Sequence, residues 1–394
     1  MTASRPAGVA TRDLVVLSAA FFFIFGGTGC LQQYLTPYLE QTRHWDPVRA
    51  SLVLTVLYGS FLVWRVLAIY TIRALGDYWS IILGTLTYTL FPVAIASSGR
   101  IDVALVAAAV WGWGAASLWI TSTAQVLDAA QRSHYGRASG AFYGATHVGY
   151  ALGLLALGAL VRAYPGGRVF LYGAAAITGF GNLVCLWVPR RRFERDLPNV
   201  LQVLRISVAR EGLVVGALQF ASSLSYGLLL GLFAAAITAR YELKWVGIFT
   251  LGFYVVRAVM SPLSGTVCDR VGTRQVLVYS FLASGVGLAL PALWAGVASL
   301  VGSSAVLGVQ AAAVPVGVMA YVGEISNSSK RQATIAGMYV WRDAGVAAGV
   351  LASAYLREAF GTFRGPFLVF GAVFVLCGIL ATRLPRAEAK SADP

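Results

Sequence analysis

The stretch "FYVVRAVMSPLSGTVCDRVGTRQ", residues 253–275, is apolar over most of its first sixteen positions, long enough to lie in a membrane, yet it carries Arg257 near its start and Asp269 near its end. A permanent cation inside an apolar run is costly in lipid. The same spacing recurs at Arg65 and Asp77, in "RVLAIYTIRALGD". Two such runs ask for one explanation.

The chain around them has 394 residues, of which 58% are hydrophobic and 12% charged, and its mean hydropathy is +0.72. That is more apolar surface than a soluble domain of this length buries. The formal net charge of +14 would suggest nucleic acid in a soluble protein, but here the basic residues sit in short connections and act as topology signals, so no nucleic-acid partner is expected. Cys30, Cys185, Cys268 and Cys377 are far apart, with no CxxC pair, and predict no metal or cofactor. The polar N-terminus leads into a run longer than a signal-peptide core, so the first helix is expected to be retained.

Twelve runs of about twenty apolar residues begin near 14, 48, 79, 102, 138, 168, 211, 246, 275, 297, 332 and 364. Continuous runs without alternation exclude a barrel, which leaves a helical bundle embedded in the bilayer. With the N-terminus inside, the inner connections hold 18 of the 30 Lys and Arg residues, the outer ones 9, and 3 lie within helices. This bias places both termini in the cytoplasm. The long connection 189–210 is read as a solvated linker between an N-terminal bundle, 1–188, and a C-terminal bundle, 211–394. Asn327 stands in an Asn-Ser-Ser triplet that fits a glycosylation acceptor, but on the cytoplasmic side. Repetition supports two halves. The Arg-x11-Asp pair repeats at an offset of 192, and "GAFYGATHVGYALG" from Gly140 matches "GMYVWRDAGVAAG" from Gly337 with one gap.

Here the chain resembles the major facilitator superfamily of secondary transporters. Gly265, Asp269, Arg270, Gly272 and Arg274 fit its G-x-x-x-D-R-x-G-x-R pattern, and the helix count and central loop extend the resemblance over almost the whole chain. The resemblance implies an all-α membrane protein of twelve helices in two pseudo-symmetric six-helix bundles that rock about a central cavity. It also implies conformational gating by Asp77, Gly265, Asp269, Arg270 and Arg274, and it packs helix 2 beside helix 11 and helix 5 beside helix 8. The first-half copy keeps Gly76 and Asp77 but lacks the following Arg, and helix 5 lacks the Gly-Pro pair of drug–proton antiporters.

Helix arithmetic places Arg257 about 18 Å from Asp269, near the middle of a hydrocarbon core about 30 Å thick, with Arg65 at the same depth. Arg342 comes out about 16 Å from the cytoplasmic boundary. Against these cations the helices offer Asp343 at that level, with a titratable His147 on helix 5. An excess of guanidinium suits a bound anion, since guanidinium pairs bidentately with carboxylates and similar groups. Arg65, Arg257, Arg342, Tyr58 and Tyr254 are therefore expected to bind substrate. Asp343 reads as a structural partner or a proton carrier, and His147 as a buried neutral imidazole or a ligand. Polar stripes run along helix 8 (Thr250, Tyr254, Arg257, Ser261, Ser264) and, more briefly, helix 2 (Thr55, Tyr58, Arg65).

The expected function is secondary active transport of a small organic or inorganic anion by alternating access with proton coupling, in a monomer of the bacterial inner (plasma) membrane. The alternatives are proton-linked export of amphipathic or cationic compounds and a non-transporting receptor or scaffold. No G-x-x-x-x-G-K-[ST] and no Ser/His/Asp constellation points to an ATPase or another enzyme.

Overall fold

Apolar runs satisfy their backbone in lipid by closing hydrogen bonds within each run. In the computed structural model, which describes residues 7–129, 135–165, 167–190, 200–325 and 328–384, all the regular structure is helical. The helices are α1 (Ala7–Ile24), α2 (Cys30–Arg43), α3 (Pro47–Ser97), α4 (Ile101–Ala129), α5 (Tyr135–Ala163), α6 (Val169–Cys185), α7 (Val200–Val208), α8 (Arg210–Leu228), α9 (Ala234–Thr238), α10 (Trp245–Val271), α11 (Thr273–Leu293), α12 (Val297–Ile325), α13 (Ser328–Phe360) and α14 (Arg364–Ala381). A π-helical turn, Phe25–Gly29, joins α1 to α2, and another, Leu229–Phe233, joins α8 to α9. Each joined pair is one span.

The helix ends follow local chemistry. Asp46 caps α3 by accepting the Arg49 N–H at 2.8 Å, with Pro47 in the first turn, where its missing N–H costs nothing. Gly76, at φ 78°, breaks α3 into the second and third spans. Gly272, at φ 96°, does the same between α10 and α11. With α7 apart in the central connection, each joined pair taken as one and α3 as two, the described residues form twelve helices. Nine stretches among the described residues are long and apolar enough to cross a membrane, and Val169–Cys185 and Trp245–Ser261 are shorter apolar helices. Val15, Val63, Val106, Leu152, Val255, Val286 and Leu376 face outward, as lipid-facing positions do. Tyr164, Trp187 and Trp294 stand exposed near span ends, where amphipathic rings favour the interface.

The chain parts into two compact units: Met1–Leu197 with Ile237–Ile248, and Pro198–Ala236 with Phe249–Pro394. In the first, α3 packs on α4 and α6, and α1 on α5 and α6. In the second, α8 packs on α13 and α12, and α11 on α14 and α12. Asn327 lies outside the described residues.

The first π-turn is tied into its unit by a closed set of bonds. Thr28 N–H donates to Thr178 Oγ1 at 2.8 Å, the Thr178 hydroxyl donates to Thr28 Oγ1 at 3.0 Å, and the Thr28 hydroxyl donates to the Tyr88 carbonyl at 2.8 Å. A π-turn shifts the helical bonding pattern, and α6 supplies the missing acceptor. Thr178→Val leaves a buried N–H without a partner, so the expected loss is about 1–3 kcal/mol, read as a lower thermal midpoint in detergent. Thr178→Ser keeps the hydroxyl and should restore most of it.

Candidate functional site

In the first unit, Tyr58, Phe61 and Arg65 recur on one face of α3. The Tyr58 hydroxyl, buried, donates to Gln32 Oε1 on α2 at 2.6 Å. The half-buried Arg65 guanidinium lies over the Phe61 ring, 4.2 Å from its centroid. A cation on an aromatic face keeps part of its electrostatic compensation away from water. Arg65 precedes the Gly76 break by eleven residues, or about 16 Å of helix, and so sits mid-span. On α5, His147 is half-buried, with Tyr150 buried one turn on. One turn before it, Tyr143 stacks on Trp119, with centroids 5.9 Å apart and planes at 21°.

In the second unit, α13 carries Tyr339, Arg342 and Asp343. Asp343 is fully buried, and its Oδ1 accepts from Arg342 Nε at 3.1 Å and Nη2 at 2.9 Å. The guanidinium is 34% exposed and lies 5.0 Å from the Tyr339 ring centroid. Neighbours on a helix diverge by about 100°, so the long Arg342 side chain curls back to reach the carboxylate. The two form an ion pair within α13.

On α10, Thr250 and Tyr254 are buried and Arg257 is half-buried. Two hydroxyls of the expected stripe bond to their own helix: Ser261 donates to the Arg257 carbonyl and Ser264 to the Met260 carbonyl, each at 2.7 Å. Thr55 does the same to Ser51 on α3, at 2.9 Å. These oxygens keep only acceptor capacity. Of the expected gating residues, Asp77 is buried in the turn after Gly76, Arg270 is exposed, and Arg274 is half-buried in the first turn of α11. The side chains at Gly265 and Asp269 lie outside the described residues.

The repeat register differs from the 192-residue offset of the Arg-x11-Asp match. Gly76 and Gly272 make the same positive-φ break 196 positions apart. Gly149 and Gly345 are also 196 apart, and each abuts a carbonyl of the first helix of its unit, Phe22 or Phe220. In that register Tyr143 matches Tyr339 and His147 matches Asp343. Arg65 stands eleven residues before its break and Arg257 fifteen, a difference of one turn or about 6 Å. The four-residue slip preserved the face and hid the change in height.

A set of buried amides escaped the sequence reading, which followed charge. Gln32, Gln33, Gln125, Gln219 and Gln310 are all buried within spans. Neither Gln125 amide atom has a hydrogen-bond partner, nor has Gln219 Oε1. Ser225 Oγ lies 2.6 Å from the Ser222 carbonyl and 2.9 Å from Gln310 Oε1, while Gln310 Nε2 has no partner. One hydroxyl proton cannot serve two acceptors. Turning the Gln310 amide lets Nε2 donate to Ser225 and leaves the oxygen as the open group. The available signal was a glutamine inside an apolar run, where it is as conspicuous as a charge. Among the described residues no cluster of three His, Cys, Asp or Glu is placed to hold a metal.

Known structures share this arrangement of helices. Two crystal structures of the nucleoside transporter NupG, the first of a point mutant, superpose with TM-scores of 0.78 and 0.76, at 14% and 13% identity, over 95% of this chain and 99% and 98% of theirs. No curated protein matches the sequence. The sequence profile described as Major Facilitator Superfamily matches residues 17–238 and again 215–394. Twelve spans and a profile match across nearly the whole chain give one conclusion: this multi-pass membrane protein belongs to the major facilitator superfamily of transporters.

Proposed function

We propose that this transporter moves a small organic or inorganic anion by alternating access, with protons as the coupling ion. One observation carries the reading: Arg65, Arg257 and Arg342 stand within spans, each half-buried, rather than at helix ends where guanidinium reaches water. Arg342 already neutralises Asp343, yet a third of its side chain remains accessible. Guanidinium in such places fits a carboxylate or phosphate of the solute, with Tyr58 and Tyr254 as neighbouring contacts. Proton exchange is assigned to Asp343 and His147, which occupy matching positions in the two units. Asp77, Gly265, Asp269, Arg270 and Arg274 are assigned to gating. Both termini lie in the cytoplasm of a bacterial inner-membrane monomer, as the distribution of arginines favours.

The buried glutamines favour a second reading. Carboxamides with open donors and acceptors suit a neutral solute rich in hydroxyl and ring-nitrogen groups, and the NupG structures are of nucleoside transporters. A thermal-shift screen of the purified protein against carboxylates, organic phosphates and nucleosides separates the two. A ligand at one hundred times its Kd stabilises by about 2.7 kcal/mol. The expected result is a shift with an anionic ligand that disappears in Arg257→Gln. A shift with nucleosides that survives in Arg257→Gln, with none for anions, replaces the anion reading by the second.

A further inference from the structure

The nine-residue helix α7, in the central connection, exposes three apolar side chains. Leu201, Leu204 and Val208 recur at three- and four-residue intervals and so share one face within about 60°. They are 75%, 47% and 64% exposed, with Arg205 exposed on the same side. The helix is held by contacts with α13 and α8, which leaves this face pointing away from the protein. A connection solvated on all sides would present its polar residues there instead.

Position and charge identify what covers it. Only Ala209 separates α7 from α8, whose membrane-spanning stretch begins at Gly216, so α7 is confined to the edge of the bilayer. The connection around it carries Arg190, Arg191, Arg192, Arg195, Arg205 and Arg210 against Glu194 and Asp196. An exposed apolar face that carries Arg205 at the bilayer edge, in a connection whose sequence has an excess of arginine, is the pattern of a helix lying in the headgroup layer of an anionic leaflet.

We propose that α7 is a membrane-surface helix: Leu201, Leu204 and Val208 enter the acyl boundary, and Arg205 engages anionic lipid headgroups. Helix α7 is then anchored on lipid, where the sequence reading expects a solvated linker. Anionic lipid becomes a specific partner of the transporter, whatever solute it carries.

Spin labelling of the full-length protein tests this without reference to transport. Single nitroxides are placed at Leu201→Cys, Leu204→Cys and Val208→Cys with Cys377→Ala, since Cys30, Cys185 and Cys268 are buried. All three labelled positions are exposed, so the fold keeps its buried contacts, and a thermal midpoint checks it. In vesicles of phosphatidylcholine and phosphatidylglycerol in equal parts, labels at all three sites should favour collision with oxygen, and an aqueous nickel chelate should reach them about tenfold less than it reaches a label at Arg168→Cys. In phosphatidylcholine alone, or with Arg205→Gln in the mixed vesicles, nickel access should rise about threefold. Nickel access equal to that at Arg168 overturns the proposal, as does shielding from both reagents, which means protein covers the face. Indifference to phosphatidylglycerol overturns the anionic-lipid partnership.

Discussion

Asp343→Asn is expected to lower proton-driven uptake in proteoliposomes by about 100-fold, on the order of 2.7 kcal/mol, while the protein still folds. The carboxylate is fully buried and accepts two charge-assisted bonds from Arg342 on one oxygen, at 2.9 and 3.1 Å. Asparagine matches its shape and can still offer a carbonyl oxygen, so the packing of α13 survives. The charge does not survive. The guanidinium then loses the charge at the end of its two bonds, at a cost held to about 1–2 kcal/mol because the arginine side chain is 34% exposed and partly screened. Counterflow, the exchange of labelled for unlabelled solute with no net proton movement, divides the two roles left open for Asp343. A proton carrier frozen in its neutral form loses driven uptake but keeps counterflow within about threefold. A residue that only positions Arg342 for the solute loses both together. His147→Gln, at the matching position of the other unit, should show the same pattern with a smaller loss, about tenfold.

How far this was legible in the amino-acid sequence depends on whether a property belongs to one helix or to a pair. Span number and placement are single-helix properties. The run starting near 48 begins at Pro47, and the next begins just past Gly76, where a left-handed glycine does what the spacing of apolar residues predicts. Arg65, Arg257 and Arg342 were conspicuous because a charge in an apolar run needs no partner to be noticed. The π-turns were not legible: "FGGTG" and "LLGLF" carry no shared signal, and the first is fixed by Thr178 and Tyr88 from elsewhere in the chain. Charges matched by identity put the Arg-x11-Asp pair at an offset of 192, whereas the backbone breaks, the close crossings and the match of helices 5 and 11 after its one gap agree on 196. Charge marks chemistry that can drift by a turn. A glycine under a carbonyl cannot drift, because the next position along would overlap.

Gly153→Ala should accordingly be among the most damaging single changes in the chain, although it adds one methyl group. A β-carbon at Gly153 overlaps the Gly26 carbonyl and comes within 2.7 Å of Cys30 Sγ. The obstacle is backbone on the partner helix, which has no rotamer to yield. Membrane helices gain most of their association energy from such close packing, and forcing the first span, at its π-turn, from α5 by about an ångström forfeits contacts along their whole crossing, for an expected loss of about 3 kcal/mol or more. The matching crossing of the second unit is looser at one point. Gly349→Ala meets the Leu224 carbonyl at 2.8 Å and Gly227 Cα at 3.0 Å, so a smaller loss of about 1–2 kcal/mol is expected there. Gly59→Ala, with nothing within 4 Å of the added carbon, should be neutral or stabilising by up to about 1 kcal/mol. Size-exclusion profiles and thermal midpoints in detergent give the order directly: Gly59→Ala at or above the parent, Gly349→Ala below it, Gly153→Ala lowest or aggregated. If Gly153→Ala elutes and melts like the parent, α1 and α5 are not in backbone contact, and the 196-residue register that equates His147 with Asp343 loses one of its two supports.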